Sequence, residues 1–239
     1  MASPVFAKRG YKNNYVASAQ RRLKTALGDS SLVDDGDFGP KTEDAVKMFQ
    51  SSRYLESDGI IGAFTDACLF GKSIEKLHKR PVHVHQGNML RCWAAATESW
   101  LTTMASRRRI AQQDIVDRLV SDGGARASDG GLLIPFGQGL WEGYFGLRPI
   151  PIDPSDFVAE SCARRMARFG PLLLGARKPG NAGHVRVMWG WRVNGGYPHI
   201  EVIDPLTPTG SSVTVPIIDI RSYSGGYTIW LPTKLPLIF

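Results

Sequence analysis

Residues 86–100 read QGNMLRCWAAATESW, and Cys92 lies where a polar loop gives way to an alanine-rich run. The apolar residues Trp93, Ala96 and Trp100 recur at spacings of three and four. This spacing predicts a helix with Cys92 in its first turn. The unpaired N–H groups and the dipole at a helix start stabilise negative charge, and they can lower a thiol pKa from about 8.5 to roughly 3.5–7.5. A free cysteine is also among the most buried residue types, so the stretch alone allows either a nucleophile or a core residue.

Other residues supply the groups that a cysteine nucleophile needs. His184 follows Gly183 at the start of an alternating run, which predicts a strand and offers an imidazole as general base. Asp204 ends the next strand-like segment, where it can hold that imidazole. Gln86 can stabilise an oxyanion with its side-chain amide, alongside the backbone N–H of Cys92. This set of residue types favours the nucleophile.

A short repeat marks the first part of the chain. Residues 35–42, DGDFGPKT, recur as residues 58–65, DGIIGAFT. Each copy reads as an Asp-Gly turn, an apolar anchor, a second glycine and a helix start. Helical spacing of apolar residues around the copies predicts a compact unit of about three helices over residues 13–73. In this unit Cys68 takes the place that Ala45 has in the other copy, which predicts a buried small residue.

The repeat resembles the bacterial peptidoglycan-binding-domain family. The pattern of that family has a leading helix with Gln and Leu, then D-G-x-F-G-x-x-T-x-x-A-V-x-x-F-Q, and then D-G-I-x-G-x-x-T. Residues 35–50 and 58–65 meet this pattern almost position by position. The resemblance implies a small helical module that binds the bacterial cell wall.

The second half resembles the papain-like cysteine peptidases, especially the compact forms among avirulence proteases of plant pathogens and bacteriocin-processing peptidases. The resemblance rests on a Gln six residues before Cys-Trp at a helix start, a distant Gly-His on a strand, and an Asp before a Pro. It implies Cys92 as the nucleophile and His184 as general base and then acid. It also implies Asp204 as the residue that orients His184, and Gln86 as part of the oxyanion hole.

Two questions about the site stay open at this stage. His199 is an alternative to Asp204, because some papain-like cell-wall endopeptidases use a second histidine there, and Asp219 is a further choice. Aromatic residues near the cleft can line a substrate groove, although helical spacing is also typical of core residues. The predicted substrate-contacting residues are Trp93, Trp141, Tyr144 and Gly183.

The sequence therefore predicts an α+β chain with a small all-α domain in front of a papain-like domain. His83 and His85 would share one side of a strand, but no third ligand accompanies them, so we expect neither a metal nor an organic cofactor. The predicted ranges are an N-terminal tail at 1–12, a three-helix peptidoglycan-binding-like domain at 13–73, a connector that becomes strand-like at 74–85, and the peptidase domain at 86–239.

The composition is that of a globular protein with a basic surface. Lys and Arg outnumber Asp and Glu 29 to 22, which gives a net charge of +7 and favours an anionic partner such as a cell wall. The cysteine spacings match neither a disulfide framework nor a zinc site, and Cys162 reads as a core residue of a helix. We find no secretory signal and no membrane-spanning run. We therefore expect synthesis in the cytoplasm and delivery to a target cell envelope, the periplasm, by another route.

Three functions compete on this basis. The first is a cysteine hydrolase that cleaves peptide or amide bonds in the cross-linking peptides of peptidoglycan. It would act as an antibacterial toxin delivered by a machine such as type VI secretion, with an immunity protein as partner, or as an endolysin. The second is a cysteine protease effector that cleaves a host or competitor protein. The third is an inactive wall-binding adaptor. A nucleic-acid partner has only the charge in its favour and is not expected.

Overall fold

The computed structural model describes residues 4–105, 107–133, 136–176, 183–208, 210–221 and 227–232. Its helices are α1 Asn14–Leu27, α2 Pro40–Ser52, α3 Ala63–Phe70, α4 Cys92–Leu101, α5 Gln112–Ser121, α6 Phe136–Phe145, α7 Ala159–Phe169 and α8 Ile217–Arg221. Its strands are β1 Val5–Ala7, β2 Ile61–Gly62, β3 Ile74–Leu77, β4 Leu147–Ile152, β5 Leu172–Ala176, β6 His184–Asn194, β7 Tyr197–Ile203, β8 Val213–Pro216 and β9 Tyr227–Pro232. Helices α1–α3 form the predicted helical unit, and the remaining helices surround a sheet, as an α+β chain requires.

In the helical unit, a buried glutamine holds the first Asp-Gly turn. Gln20 on α1 donates from Nε2 to Oδ1 of Asp35 at 3.0 Å, and its Oε1 accepts the N–H of Gly36 at 2.9 Å. Gly36 has φ of 78°, in the left-handed region that favours glycine. Because the Gln20 amide bonds both to the Asp35 carboxylate and to the Gly36 N–H, this turn depends on Gln, Asp and Gly together.

The second copy of the repeat uses the same arrangement. Gln50 on α2 donates to Oδ1 of Asp58 at 2.8 Å and accepts the N–H of Gly59 at 2.9 Å. Cys68 is buried, as its correspondence with Ala45 predicts, and burial raises the pKa of its thiol to about 12. Duplication in the sequence is therefore duplication of one hydrogen-bonded unit.

The second unit is built on a seven-stranded sheet with the order β4-β9-β5-β6-β7-β8, and β3 also pairs with β6. All of its pairings are antiparallel. The first half of β6 pairs with β5, and its second half pairs with β3 along the same edge. Gly190 permits this, because a Cβ there would lie 2.7 Å from Cδ2 of Leu77 and 3.0 Å from the carbonyl oxygen of Lys76. The long strand β6 thus runs from His184 at one end towards the helical unit at the other.

The segment predicted as a connector at 74–85 differs from the expectation. Its first four residues form β3 inside the sheet, and residues 78–86 have no regular secondary structure. The predicted strand through His83 and His85 is therefore wrong. The two rings lie 6.3 Å apart, and His83 instead contacts the carbonyl oxygen of Asp204.

The two faces of the sheet bury two separate hydrophobic clusters. Residues of α4, α5 and α6 pack on one face, whereas α7 and the helical unit pack on the other. Leu172 and Leu174 of β5 belong to the second cluster and Leu173 to the first, as the alternation of a strand requires. Cys162 on α7 is buried in the second cluster, which confirms its predicted core role. The helical unit and the sheet therefore share one core.

Polar contacts follow the same seam between the helical unit and the sheet unit. Arg164 forms an ion pair with Glu56 at 2.7 Å, and the N–H of Glu56 donates to Glu160 at 3.0 Å. The guanidinium of Arg53 lies 4.3 Å from the ring centroid of Tyr197.

Across the residues placed by the structure, no helix is both long and apolar enough to cross a membrane.

Candidate active site

Cys92 is the first residue of α4, as the sequence predicts. Every residue of this helix is buried, because it lies between the sheet and helices α5 and α6. The N–H groups of Ala94 and Ala95 bond to the carbonyl of Arg91, both at 3.0 Å. The first N–H groups of a helix have no partner within the helix, so that of Cys92 is available to a ligand. Cys92, which is 8% exposed, is thus fixed at the open end of a buried helix.

The strand β6 carries an imidazole to this thiol. His184 is the first residue of β6, and Sγ of Cys92 lies 3.9 Å from the carbonyl oxygen of Gly183. Because Gly183 directly precedes His184, this contact brings the thiol next to the start of β6. Nε2 of His184 lies 2.7 Å from Oδ1 of Asp204, which leaves Nδ1 as the nitrogen for the thiol.

Asp204 directly follows β7, which pairs with β6, so the register of the two strands sets Asp204 beside His184. Its Oδ1 accepts a second hydrogen bond, from the N–H of Leu206 at 2.9 Å. Its Oδ2 accepts from Nε of Arg186 at 2.6 Å. Both carboxylate oxygens are therefore engaged and the group has one orientation.

These contacts change the ionisation of both groups. Burial lowers the pKa of His184, but hydrogen bonds to Asp204 and Cys92 and their negative charges outweigh it and raise this pKa to about 9. Burial raises the pKa of Asp204, but the hydrogen bond and charge of His184, the Leu206 N–H and the Arg186 charge hold it well below its usual value. At neutral pH the pair is an imidazolium and a carboxylate.

Gln86 lies beside this pair. Its backbone N–H donates to the carbonyl of Pro205 at 3.0 Å, which anchors it next to Asp204. Its Nε2 donates to the carbonyl of Met89 at 2.8 Å, in the loop that leads to Cys92. The side-chain amide is buried, its Oε1 has no hydrogen-bond partner among the described residues, and Nε2 carries a second N–H besides the one given to Met89.

The structure separates the alternatives for the third residue. Asp204 makes the hydrogen bond to His184, whereas His199 lies within β7 opposite Arg192. Asp219 is exposed on α8. The described residues contain no group of three or more His, Cys, Asp or Glu that could hold a metal ion.

Two of the predicted substrate-contacting residues are in the wrong place for that role. Trp93 and Trp141 are 3% and 0% exposed and meet edge to face with ring centroids 6.0 Å apart, so they form the core beneath the site. The hydroxyl of Tyr144 is engaged by Arg118 and Asp122, which ties α6 to α5. Only Gly183, through its carbonyl, contacts the thiol.

The loop that contains Asp129 and Gly130 contacts the residues on either side of Cys92. The carbonyls of Asp129 and Gly130 accept from Leu90 N–H and Trp93 Nε1, both at 3.0 Å. Arg186, which bonds to Asp204, carries one signal in the sequence: it follows His184 by two residues in a predicted strand, so the two side chains share a face.

A thiol at a helix start, a strand-borne histidine and a carboxylate after the next strand are consistent with a cysteine peptidase of the papain-like class. The family model described as papain-like cysteine protease AvrRpt2 matches residues 77–217, more than half of the chain, and the protein belongs to this family. The model described as a putative peptidoglycan binding domain matches residues 12–69. Both resemblances drawn from the sequence are confirmed. No curated protein matches the chain.

Proposed function

We propose that this cysteine peptidase cleaves peptide or amide bonds in the cross-linking peptides of peptidoglycan, with Cys92 as its nucleophile. Two contacts support the chemistry: Sγ of Cys92 lies 3.9 Å from the carbonyl oxygen of Gly183, the residue before His184, and Nε2 of His184 lies 2.7 Å from Oδ1 of Asp204. The choice of substrate rests on the peptidoglycan-binding domain, which packs on the opposite face of the same sheet.

In the first half of the reaction, the Cys92 thiolate attacks the carbonyl carbon of the scissile bond and a C–S bond forms. The negative charge moves to the carbonyl oxygen, where the N–H of Cys92 and the second amide N–H of Gln86 stabilise it. His184, held as imidazolium by Asp204, gives its proton to the leaving nitrogen. The C–N bond then breaks, and an amine leaves behind a thioester on Cys92.

In the second half, water replaces the amine. Neutral His184 takes a proton from this water as the new C–O bond forms, and the same two donors hold the second oxyanion. The C–S bond breaks, the carboxylic acid product leaves, and the thiolate and the imidazolium are restored. The buried carboxylate of Asp204 orients His184 in both halves without changing its own protonation.

The charge of the protein supports a wall substrate. A net charge of +7 favours retention on an anionic envelope. We propose that the protein acts at the envelope of a target cell, as a delivered antibacterial effector or as an endolysin.

The test compares three proteins on purified sacculi, with the released muropeptides analysed by mass spectrometry. Cys92→Ala is expected to lower product formation by at least ~10³-fold, as removal of a nucleophile does. Cys162→Ala is the matched control, because this thiol lies in the core on α7, outside the wall-binding unit and on the sheet face opposite to Cys92, and it is expected to keep full activity once thermal unfolding verifies the fold. Intact cross-links after treatment with the parent protein would reject the wall as substrate.

A protein substrate is the second candidate, because the matching family is described as a protease. A survey of new protein N-termini in exposed cells tests it, with Cys92→Ala as the reference. Termini that depend on Cys92, together with intact sacculi, would favour a protein target. A Cys92→Ala protein as toxic as the parent would favour a non-enzymatic adaptor.

A further inference from the structure

A basic cavity lies on the helical unit, away from the candidate active site. Its volume is about 400 Å³, and residues of α1, the end of α2 and α3 line it. Three arginines face it, and Phe49 and Leu69 supply an apolar floor. The three are Arg21, Arg22 and Arg53.

The positive charge of this cavity is only partly balanced. Arg21 is exposed and meets Asp34 at 3.4 Å. Arg22 lies 5.8 Å from the ring centroid of Phe70, and Arg53 stacks on the rings of Phe49 and Tyr197. Within the described ranges of the chain, neither Arg22 nor Arg53 has a carboxylate at ion-pair distance, and Nε of Arg53 is buried with no hydrogen-bond partner. Nη1 of Arg53 donates to the hydroxyl of Tyr197, and stacking leaves the other donors of Arg53 and those of Arg22 without a partner among the described residues, so the cavity is suited to an oxyanion.

We propose that this cavity is an anchoring site for the carboxylate groups of peptidoglycan stem peptides, an inference that rests on the wall as the proposed substrate. A guanidinium presents paired N–H donors that match a carboxylate in two parallel hydrogen bonds. The floor formed by Phe49 and Leu69 receives the aliphatic part of a stem residue. The cavity therefore offers a partner both to the carboxylate and to the aliphatic part of the stem residue.

The anchoring site is far from the reacting bond. Arg53 stacks on Tyr197, and Tyr197 pairs with Asn194 at the end of β6 opposite to His184. Ten residue steps of β-strand span roughly 33 Å. A single stem peptide anchored at Arg53 is therefore not the one cut at Cys92, and the anchor holds a neighbouring stem of the same polymer. It acts on binding to the polymer and not on cleavage of a small peptide.

The experiment measures binding of the full chain to sacculi stripped of protein and of phosphate-containing polymers. All proteins carry Cys92→Ala, so that binding is measured without cleavage. Arg22→Gln is expected to raise the Kd about tenfold, and Arg22→Gln with Arg53→Gln is expected to raise it further. Lys41→Gln, an exposed charge loss elsewhere on the helical unit, is expected to change the Kd less than twofold. Because Arg22 is exposed, its replacement leaves the fold intact, and thermal unfolding verifies this.

Three results would overturn the anchoring site. The first is equal weakening by Lys41→Gln and Arg22→Gln, which would show a diffuse charge effect. The second is undiminished binding to sacculi whose stem carboxylates have been amidated. The third is binding only to sacculi that retain phosphate polymers, which would make phosphate the ligand.

The anchoring site and the proposed reaction fail separately. Binding that depends on Arg22, without any cleavage by the active protein, keeps the anchor and rejects hydrolysis of the wall. Cleavage of sacculi with binding that ignores Arg22 keeps the reaction and rejects the anchor. With Cys92 intact, Arg22→Gln is expected to leave the turnover of a short soluble peptide unchanged.

Discussion

Arg186 donates from Nε to Oδ2 of Asp204 at 2.6 Å, while Oδ1 of the same carboxylate faces Nε2 of His184 at 2.7 Å. Arg186 and His184 are two residues apart on β6, so their side chains leave the same face of the strand. The guanidinium therefore fixes the carboxylate, and the carboxylate fixes the imidazole. Arg186 is a positioning residue that acts through Asp204.

Replacing Arg186 tests this relationship. Arg186→Gln is expected to lower kcat/KM about tenfold, because a charge-assisted hydrogen bond that orients Asp204 is lost. The acidic limb of the pH–rate profile is expected to move to higher pH, since the Arg186 charge favours the ionised form of Asp204. Arg186→Lys keeps the charge and should show the smaller shift. A lower rate with an unmoved profile would assign Arg186 a purely structural role.

The raised pKa of His184 predicts the alkaline limit of activity. This pKa is about 9 in the folded protein, against an ordinary value of 6.5. Protonation of the leaving nitrogen needs the imidazolium, so kcat/KM is expected to fall as the pH rises through about 9. A pH–rate profile on a soluble peptide measures this. A decline centred near pH 6.5 would contradict the described contacts of His184.

The same pair makes stability depend on pH. The His184 contribution is complete below 6.5 and is lost as the pH rises through about 9. The Asp204 contribution is present above 3.8 and is lost as the pH falls below it. Asp204→Asn is therefore expected to destabilise the protein most between about pH 4 and 6.5, with a smaller loss at pH 10. Denaturant titrations at several pH values provide the measurement, and a loss that is constant with pH would contradict the ion pair.

The two glutamines of the repeat predict matched losses of stability. Gln20→Ala leaves the N–H of Gly36 and the carboxylate of Asp35 without their buried partner, and Gln50→Ala does the same to Gly59 and its aspartate. Each is expected to reduce the free energy of unfolding by about 2–4 kcal/mol. Urea denaturation measures the loss, with Ser51→Ala, an exposed change on α2, as the control. A loss below ~0.5 kcal/mol for either glutamine would contradict the shared design.

Glu160 predicts a pH effect at the seam between the two units. Burial raises its pKa to about 7, with the charges of Glu56 and Asp58 adding to this, although the N–H of Glu56 bonds to its carboxylate and opposes the rise. Since the folded pKa exceeds the ordinary 4.5, the folded state binds the proton more tightly, and stability falls as the pH rises from 4.5 through 7.

Glu160→Gln tests this effect, because an amide oxygen can still accept the N–H of Glu56 and carries no charge. The variant is expected to unfold at a higher temperature than the parent at pH 8, and the difference should shrink towards pH 5. Thermal unfolding at both pH values measures it. An equal difference at both pH values would show that Glu160 is not the titrating group.

Much of the architecture could be predicted from local pattern. The repeat at 35–42 and 58–65 encodes a turn, an anchor and a helix start within eight residues each, and such short-range information survives in the sequence. The helix at Cys92 follows from spacing alone. By contrast, Trp93 and Trp141 have the same aromatic chemistry whether they face a groove or a core. Only the packing of α4 and α6 on the sheet shows that they are buried.

The order of residue types along the chain determined the two domain families, the helical start at Cys92 and the candidates His184 and Asp204. Only the tertiary structure decided that Cys92, His184 and Asp204 lie close together, because this depends on the register between β6 and β7 and on the packing of α4 against the sheet. The same holds for Arg186 on Asp204 and for the seam that joins the helical unit to the sheet. Strand register and domain packing join residues far apart in sequence, and spacing along one chain carries no direct record of those distances.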